Sequence, residues 1–161
     1  MKTALKSGSV EWTRQFGEAL GKVLKAGDLL ALAGELGAGK TELVKGIASG
    51  LGCDSSLPVA SPTYILLREY PGRLWLYHFD FYRINSVPDL ESIGYEEYFD
   101  QDGVCVVEWA DKFPRIFPKS ALWVKLVVMS EQERELGIES QNPEQWEKRL
   151  NRAIKTVSGK R

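Results

Sequence analysis

The sequence predicts a three-layer α/β domain with a mixed β-sheet, and three observations carry that expectation. First, the apolar run Asp28-Leu29-Leu30-Ala31-Leu32-Ala33 leads straight into Gly34-Glu35-Leu36-Gly37-Ala38-Gly39-Lys40-Thr41, after which Leu43, Val44, Ile47, Ala48 and Leu51 recur at helical spacing. Second, helical and strand-like stretches alternate along the chain, as they do in layered α/β domains. Third, hairpin signals interrupt that alternation, so the sheet is expected to be mixed rather than purely parallel.

The glycine-rich stretch matches G-x-x-x-x-G-K-[ST], the phosphate-binding loop of nucleoside triphosphatases. A chance match somewhere in a chain of this size has odds on the order of one percent at ordinary residue frequencies. Its three glycines let the backbone turn sharply and aim successive N–H groups inward, while the following helix contributes the positive end of its dipole. Lys40 is then expected at the β- and γ-phosphates and Thr41 at Mg²⁺. Glu35, Leu36, Gly37, Ala38, Gly39, Lys40, Thr41 and Glu42 form the expected nucleotide cradle. ATP with Mg²⁺ is the expected ligand, since no N-K-x-D motif for guanine occurs. Thr13 and Phe16, on a helix before the loop, are the residues offered for the base pocket.

With 161 residues the chain is expected to be a single P-loop ATPase domain over 1–161, with a core about 9–129 and a C-terminal strand and helix in 130–157. A formal net charge of −1 argues against a dominant nucleic-acid-binding field. The longest apolar runs, such as Leu126-Val127-Val128-Met129, are too short to cross a bilayer. Met1 to Lys6 has no apolar signal core, and Cys53 and Cys105 have no metal spacing, so free thiols and a cytoplasmic protein are expected.

In chain order, Ser9 is placed to cap a helix whose stripe is Trp12, Phe16, Ala19, Leu20, Val23 and Leu24, with Lys25 in its last turn and a stop at Gly27. The loop and its helix follow, up to Gly52. Residues 53–63, with Pro58 and Pro62, are irregular. Tyr64 to Tyr70 and Leu74 to Tyr82 form a hairpin about Pro71-Gly72. Ser86 opens a helical region to about Phe99, broken near Gly94. Gly103 to Trp109 is strongly β-like, and Pro114 and Pro118 punctuate the loop after it. Leu122 to Met129 and Arg134 to Glu139 are strands. Asn142 caps a last helix with Pro143 at its first position, Gln145 reaching back, and Trp146, Leu150 and Ile154 on its apolar face; the tail after Val157 is expected to fray.

A phosphate loop alone hydrolyses nothing; Mg²⁺ needs a carboxylate, and the γ-phosphate and attacking water need partners. Three stretches compete for those roles. Asp80, leaving the strand Leu76-Tyr77-His78-Phe79-Asp80, is either a metal-side carboxylate or a solvated turn residue. His78 shares its face and is more often structural than catalytic in such a strand. Thr63 in Ser61-Pro62-Thr63 is either a switch residue closing on Mg²⁺ and the γ-phosphate or part of an ordinary loop. Glu108 ends an apolar strand and could orient water, while Trp109 is either a flat wall for nucleotide or partner, or a core aromatic.

Taken together, Gly34 to Thr41, Ser61-Pro62-Thr63-Tyr64, His78-Phe79-Asp80-Phe81-Tyr82-Arg83 and Glu108-Trp109 closely resemble the TsaE (YjeE) family over roughly residues 9 to 115. The family comprises small bacterial ATPases needed for threonylcarbamoyladenosine beside the tRNA anticodon. The resemblance implies that Lys40 and Thr41 bind phosphate and Mg²⁺, that Thr63 is the switch residue, and that Asp80 is a metal-side carboxylate. It also implies that Glu108 lies on the γ-phosphate side, with Mg²⁺ in reach, and Trp109 at the nucleotide. The implied partners are TsaD and TsaB, with ATP hydrolysis resetting their complex, tRNA met only through it, and the transfer chemistry left to TsaD. Glu35, Glu42 and Ala110-Asp111 depart from the usual family pattern without removing a phosphate or metal group.

Two other functions compete with a partner-stimulated ATPase that is weak alone. A small-molecule kinase would want an Arg-bearing lid, whereas residues 85–102 are acidic, with Asp89, Glu91, Glu96, Glu97, Asp100 and Asp102. A nucleotide-gated binding module would function while locked to a non-hydrolysable analogue. Arg83 and Arg73 are the nearest residues to an arginine finger. Lys148, Arg149, Arg152 and Lys155 form either a direct tRNA contact or, more commonly for such a pattern, a solvated helix face.

Overall fold

In a computed structural model, which describes residues 1–159, seven strands form one sheet in the order β1-β7-β6-β2-β5-β4-β3. The strands are β1 (Lys2–Ser7), β2 (Leu29–Ala33), β3 (Leu67–Tyr70), β4 (Leu76–Asp80), β5 (Val104–Glu108), β6 (Leu122–Val128) and β7 (Arg134–Glu139). The helices are α1 (Val10–Val23), α2 (Lys40–Gly50), α3 (Val87–Ser92), α4 (Tyr95–Phe99) and α5 (Pro143–Ser158). β6, β2, β5 and β4 run parallel, and both flanks are antiparallel. The expected mixed sheet is therefore present, its parallel centre buried between two apolar layers.

One layer is built from α1, α2 and α5, with Phe16, Leu43, Ile47, Trp146 and Leu150 fully or almost fully buried. The other sets Phe79 and Phe81 with Leu90 of α3 and Tyr95 of α4. Apposed glycines bring α1 and α2 together. A Cβ on Gly46 would lie 2.2 Å from the Arg14 carbonyl oxygen, and one on Gly17 2.5 Å from that of Leu43. This backbone-close contact fixes the direction of α2, and with it the loop at its N-terminus.

Most elements fall where the sequence places them; three differences have physical causes. β1 was not anticipated, because Lys2-Thr3-Ala4-Leu5-Lys6-Ser7 has a single large apolar residue; a six-residue ladder with β7 forms it. The first hairpin strand starts at Leu67 rather than Tyr64: Pro62 O accepts from Ile65 N and Leu66 N, and Leu66 turns the chain at φ 68°. β4 ends at Asp80 rather than Tyr82, because Asp80 Oδ1 accepts from Tyr82 N at 2.8 Å and closes an Asx turn. The break at Gly94 lies where expected, at φ 68° between α3 and α4. α5 continues to Ser158, and residues 160–161, the end of the tail expected to fray, lie outside the described residues.

Arg149 corrects an expectation. Instead of facing solvent for tRNA, its guanidinium binds the buried Asp28 carboxylate at 2.6 and 3.1 Å and lies over the Trp146 ring. Lys148, Arg152 and Lys155 do lie on the exposed side of α5. Among the described residues no helix is long and apolar enough to cross a membrane.

Candidate nucleotide site

The C-terminal ends of β2, β4 and β5 converge beneath the N-terminus of α2, where a parallel sheet places its ligand site. Gly34, Gly37 and Gly39 take φ values of 147°, 79° and 105°, so the loop needs its glycines for conformation. Gly34 also needs the space: a Cβ there would sit 2.7 Å from Leu126 O. A cavity of about 370 Å³ lies over the loop, lined by its residues Leu36 to Glu42 and by Ser61, Thr63, Asp80, Tyr82, Glu108 and Trp109. Glu35 contributes its carbonyl instead, which accepts from Lys40 Nζ at 2.9 Å. Lys40 Nζ also donates to Gly34 O and lies 4.1 Å from the centre of the Trp109 ring. Burial holds its pKa below the ordinary lysine value, against the opposing pull of Glu108, Asp111 and Asp80.

Asp80 and Glu108 face each other in the β4–β5 register but do different work. Glu108 is buried, with one oxygen accepting from Thr41 Oγ1 at 2.9 Å and the other 2.5 Å from His78 Nε2. Asp80 Oδ2 accepts from Ser61 Oγ at 2.5 Å and Thr63 Oγ1 at 2.9 Å. The carboxylate beside the loop hydroxyl is thus Glu108, while Asp80 holds the segment carrying Thr63. His78 is wholly buried and reaches the cavity only through Glu108. Trp109 stands at φ 58°, half-buried, its ring 4.9 Å from that of Tyr82.

The residues offered for the base pocket, Thr13 and Phe16, lie outside this cavity. Thr13 is buried, its hydroxyl 2.8 Å from Ser7 Oγ, and Phe16 is a core residue stacked on Trp12. Arg73 Nη2 donates to the carbonyls of Gly21 and Leu24, so it caps the end of α1 and is no arginine finger. Arg83 lies over the exposed Tyr64 ring at 4.3 Å. Arg134 was missed. It donates from β7 to the loop carbonyls Ala38 O at 3.1 Å and Gly37 O at 3.4 Å, a contact across about a hundred residues that no local pattern announces. Ser61 and Tyr82, which flank assigned residues, carried the available signal.

The metal fit is chemical. A hydroxyl and a carboxylate are hard oxygen donors suited to Mg²⁺, which takes one or two carboxylates with phosphate oxygens rather than an all-protein cage. No group of three or more His, Cys, Asp or Glu able to hold an ion occurs among the described residues.

Comparison with known proteins gives a consistent set of relatives. The chain is 39% identical over 132 residues to the tRNA threonylcarbamoyladenosine biosynthesis protein TsaE of Treponema pallidum, covering 82% of this chain and 96% of that protein. It is 40% identical over 127 residues to the Bacillus subtilis protein of the same name, covering 78% of each. The crystal structure of Bacillus subtilis YdiB superposes with a TM-score of 0.77 at 31% identity, over 99% of this chain and 95% of that one. The model of the family described as "Threonylcarbamoyl adenosine biosynthesis protein TsaE" matches residues 7–136, and the chain belongs to that family.

Proposed function

We propose that this protein is a Mg²⁺-dependent ATPase of tRNA threonylcarbamoyladenosine biosynthesis in the cytoplasm, and that hydrolysis resets a TsaD–TsaB complex between turnovers. The carrying observation is the convergence of Lys40, Thr41 and Glu108 on one cavity, facing the Asp80–Thr63 pair. The process named for the relatives supplies the biological setting.

In this reading the backbone N–H groups of Gly37 to Thr41 take the phosphates, aided by the positive end of α2. Lys40 transfers its ammonium from the loop carbonyls to the β- and γ-phosphate oxygens. Thr41 directs its proton at Glu108 and so keeps its lone pairs free for Mg²⁺. Thr41 and Glu108 would hold Mg²⁺, with Asp80 in the same cavity, and the ion would supply neutralisation of phosphate charge. Glu108 also stands near the γ-phosphate to order the attacking water. Thr63, released from Asp80, closes toward the γ-phosphate. Trp109 walls the site and covers Lys40.

With Arg73 held at the end of α1, Arg83 over Tyr64 and Arg134 on the carbonyls of Gly37 and Ala38, hydrolysis by the isolated chain is expected to be slow, and a partner completes the site. Leu36, Tyr64, Ile65 and Tyr82 are all exposed on the loop, the switch segment and the turn after β4, a surface suited to TsaD or TsaB. tRNA is engaged through that complex. Calorimetric titration with Mg²⁺-ATP should give saturable binding that Lys40→Ala removes. No binding by the unsubstituted chain, or equal binding by Lys40→Ala, sinks the reading.

A further inference from the structure

His78 has no role in the scheme above, yet its ring is wholly buried and makes a single polar contact, Nε2 to Glu108 Oε2 at 2.5 Å. Its Nδ1 is buried with no hydrogen-bond partner. We propose that His78 is the positioning residue that locks the Glu108 carboxylate for Thr41, and so sets the Mg²⁺ requirement of nucleotide binding; this rests on the ATP-binding reading above.

The geometry explains the choice of residue. Glu108 ends β5 with each oxygen held by one group, Thr41 Oγ1 on one side and His78 Nε2 on the other. Two fixed contacts remove the carboxylate's rotation, and the Thr41 hydroxyl is oriented in turn. The Nε2–H tautomer satisfies the carboxylate and leaves Nδ1 as a bare acceptor. The opposite tautomer would strand an N–H donor in the core, the less tolerated defect. His78 itself stays behind Glu108, out of contact with the cavity.

The test measures binding of a fluorescent ATP analogue, first in EDTA and then with Mg²⁺ titrated in. His78→Leu should raise the Mg²⁺ needed for half-saturation about 10- to 100-fold, the usual cost of removing an outer-shell partner, and leave affinity in EDTA within about twofold. His78→Gln, which restores an amide donor at similar reach, should recover most of the loss. In a Glu108→Gln background His78→Leu should add nothing further. If His78→Leu does not fold, His78→Asn, too short to reach Glu108, gives the same reading. An unchanged Mg²⁺ requirement, an equal loss in EDTA, or additivity with Glu108→Gln overturns the proposal. No nucleotide binding by the unsubstituted chain removes the ATPase reading and this proposal together, whereas Mg²⁺-dependent binding indifferent to His78 removes this proposal alone.

Discussion

Thr41 Oγ1 donates to Glu108 Oε1 at 2.9 Å, joining the first turn of α2 to the end of β5 across 67 positions of sequence. That contact divides the two carboxylates of the cavity. Glu108 belongs to the loop and its Thr41 hydroxyl, Asp80 to the segment that carries Thr63. The division makes the two acids separable by experiment.

Asp80→Asn and Thr63→Ala should slow hydrolysis about 10²-fold, the range for loss of one preorganised group, while ADP affinity stays close to that of the unsubstituted chain. Lys40→Ala should lose ADP affinity as well. Steady-state rates set against ADP titrations check this. Parallel losses of ADP affinity in Asp80→Asn and Lys40→Ala would contradict it.

Arg149 is a structural cation. Arg149→Leu leaves the Asp28 carboxylate buried beside Lys25 N and Gln145, without its charge partner. The expected cost is about 3–5 kcal/mol, read from denaturant midpoints. Lys148→Ala, on the exposed side of the same helix, should change stability by less than about 0.5 kcal/mol.

Gly46→Ala should destabilise by about 1–3 kcal/mol even though alanine favours helices by about 1 kcal/mol, because its methyl would meet the Arg14 carbonyl. Gly8→Ala is the control, with nothing within 4 Å of its Cβ position. Equal stability of the two variants would contradict the close α1–α2 contact.

Burial pushes the Cys105 thiol up to about 12, and also raises that of Cys53. Only the thiolate attacks a disulfide reagent, and at pH 8 its fraction at Cys105 is roughly 10⁻⁴. Folded protein should therefore label slowly, at Cys53 first, and unfolded protein rapidly at both. Raising the pH below both pKa values should speed labelling at both thiols about tenfold per unit, with Cys53 remaining the faster.

The loop, its strand and its helix were legible because their signal is local: glycines at fixed offsets, then a lysine and a hydroxyl. Asp80, Thr63, Glu108 and Trp109 stood out only as a spaced set, and the structure brings all four to one cavity. Their division of labour was not legible, since it depends on the rotamers of Glu108 and Asp80 and on a turn closed by positive φ at Leu66, a residue whose type gives no sign of it. Arg149 read as part of a basic helix face because its partner Asp28 lies 121 positions away. β1 escaped for the same reason: its lysines suit an edge, and only pairing with β7 makes it a strand.

The most direct measurement of the central claim is ATP hydrolysis by the purified protein, alone and with TsaD plus TsaB, with Lys40→Ala and Glu108→Ala as controls. The account predicts a slow rate alone, a clear rise with the partners, and loss in both variants. A fast rate indifferent to the partners would contradict a cycling subunit and turn the search to phosphoryl acceptors.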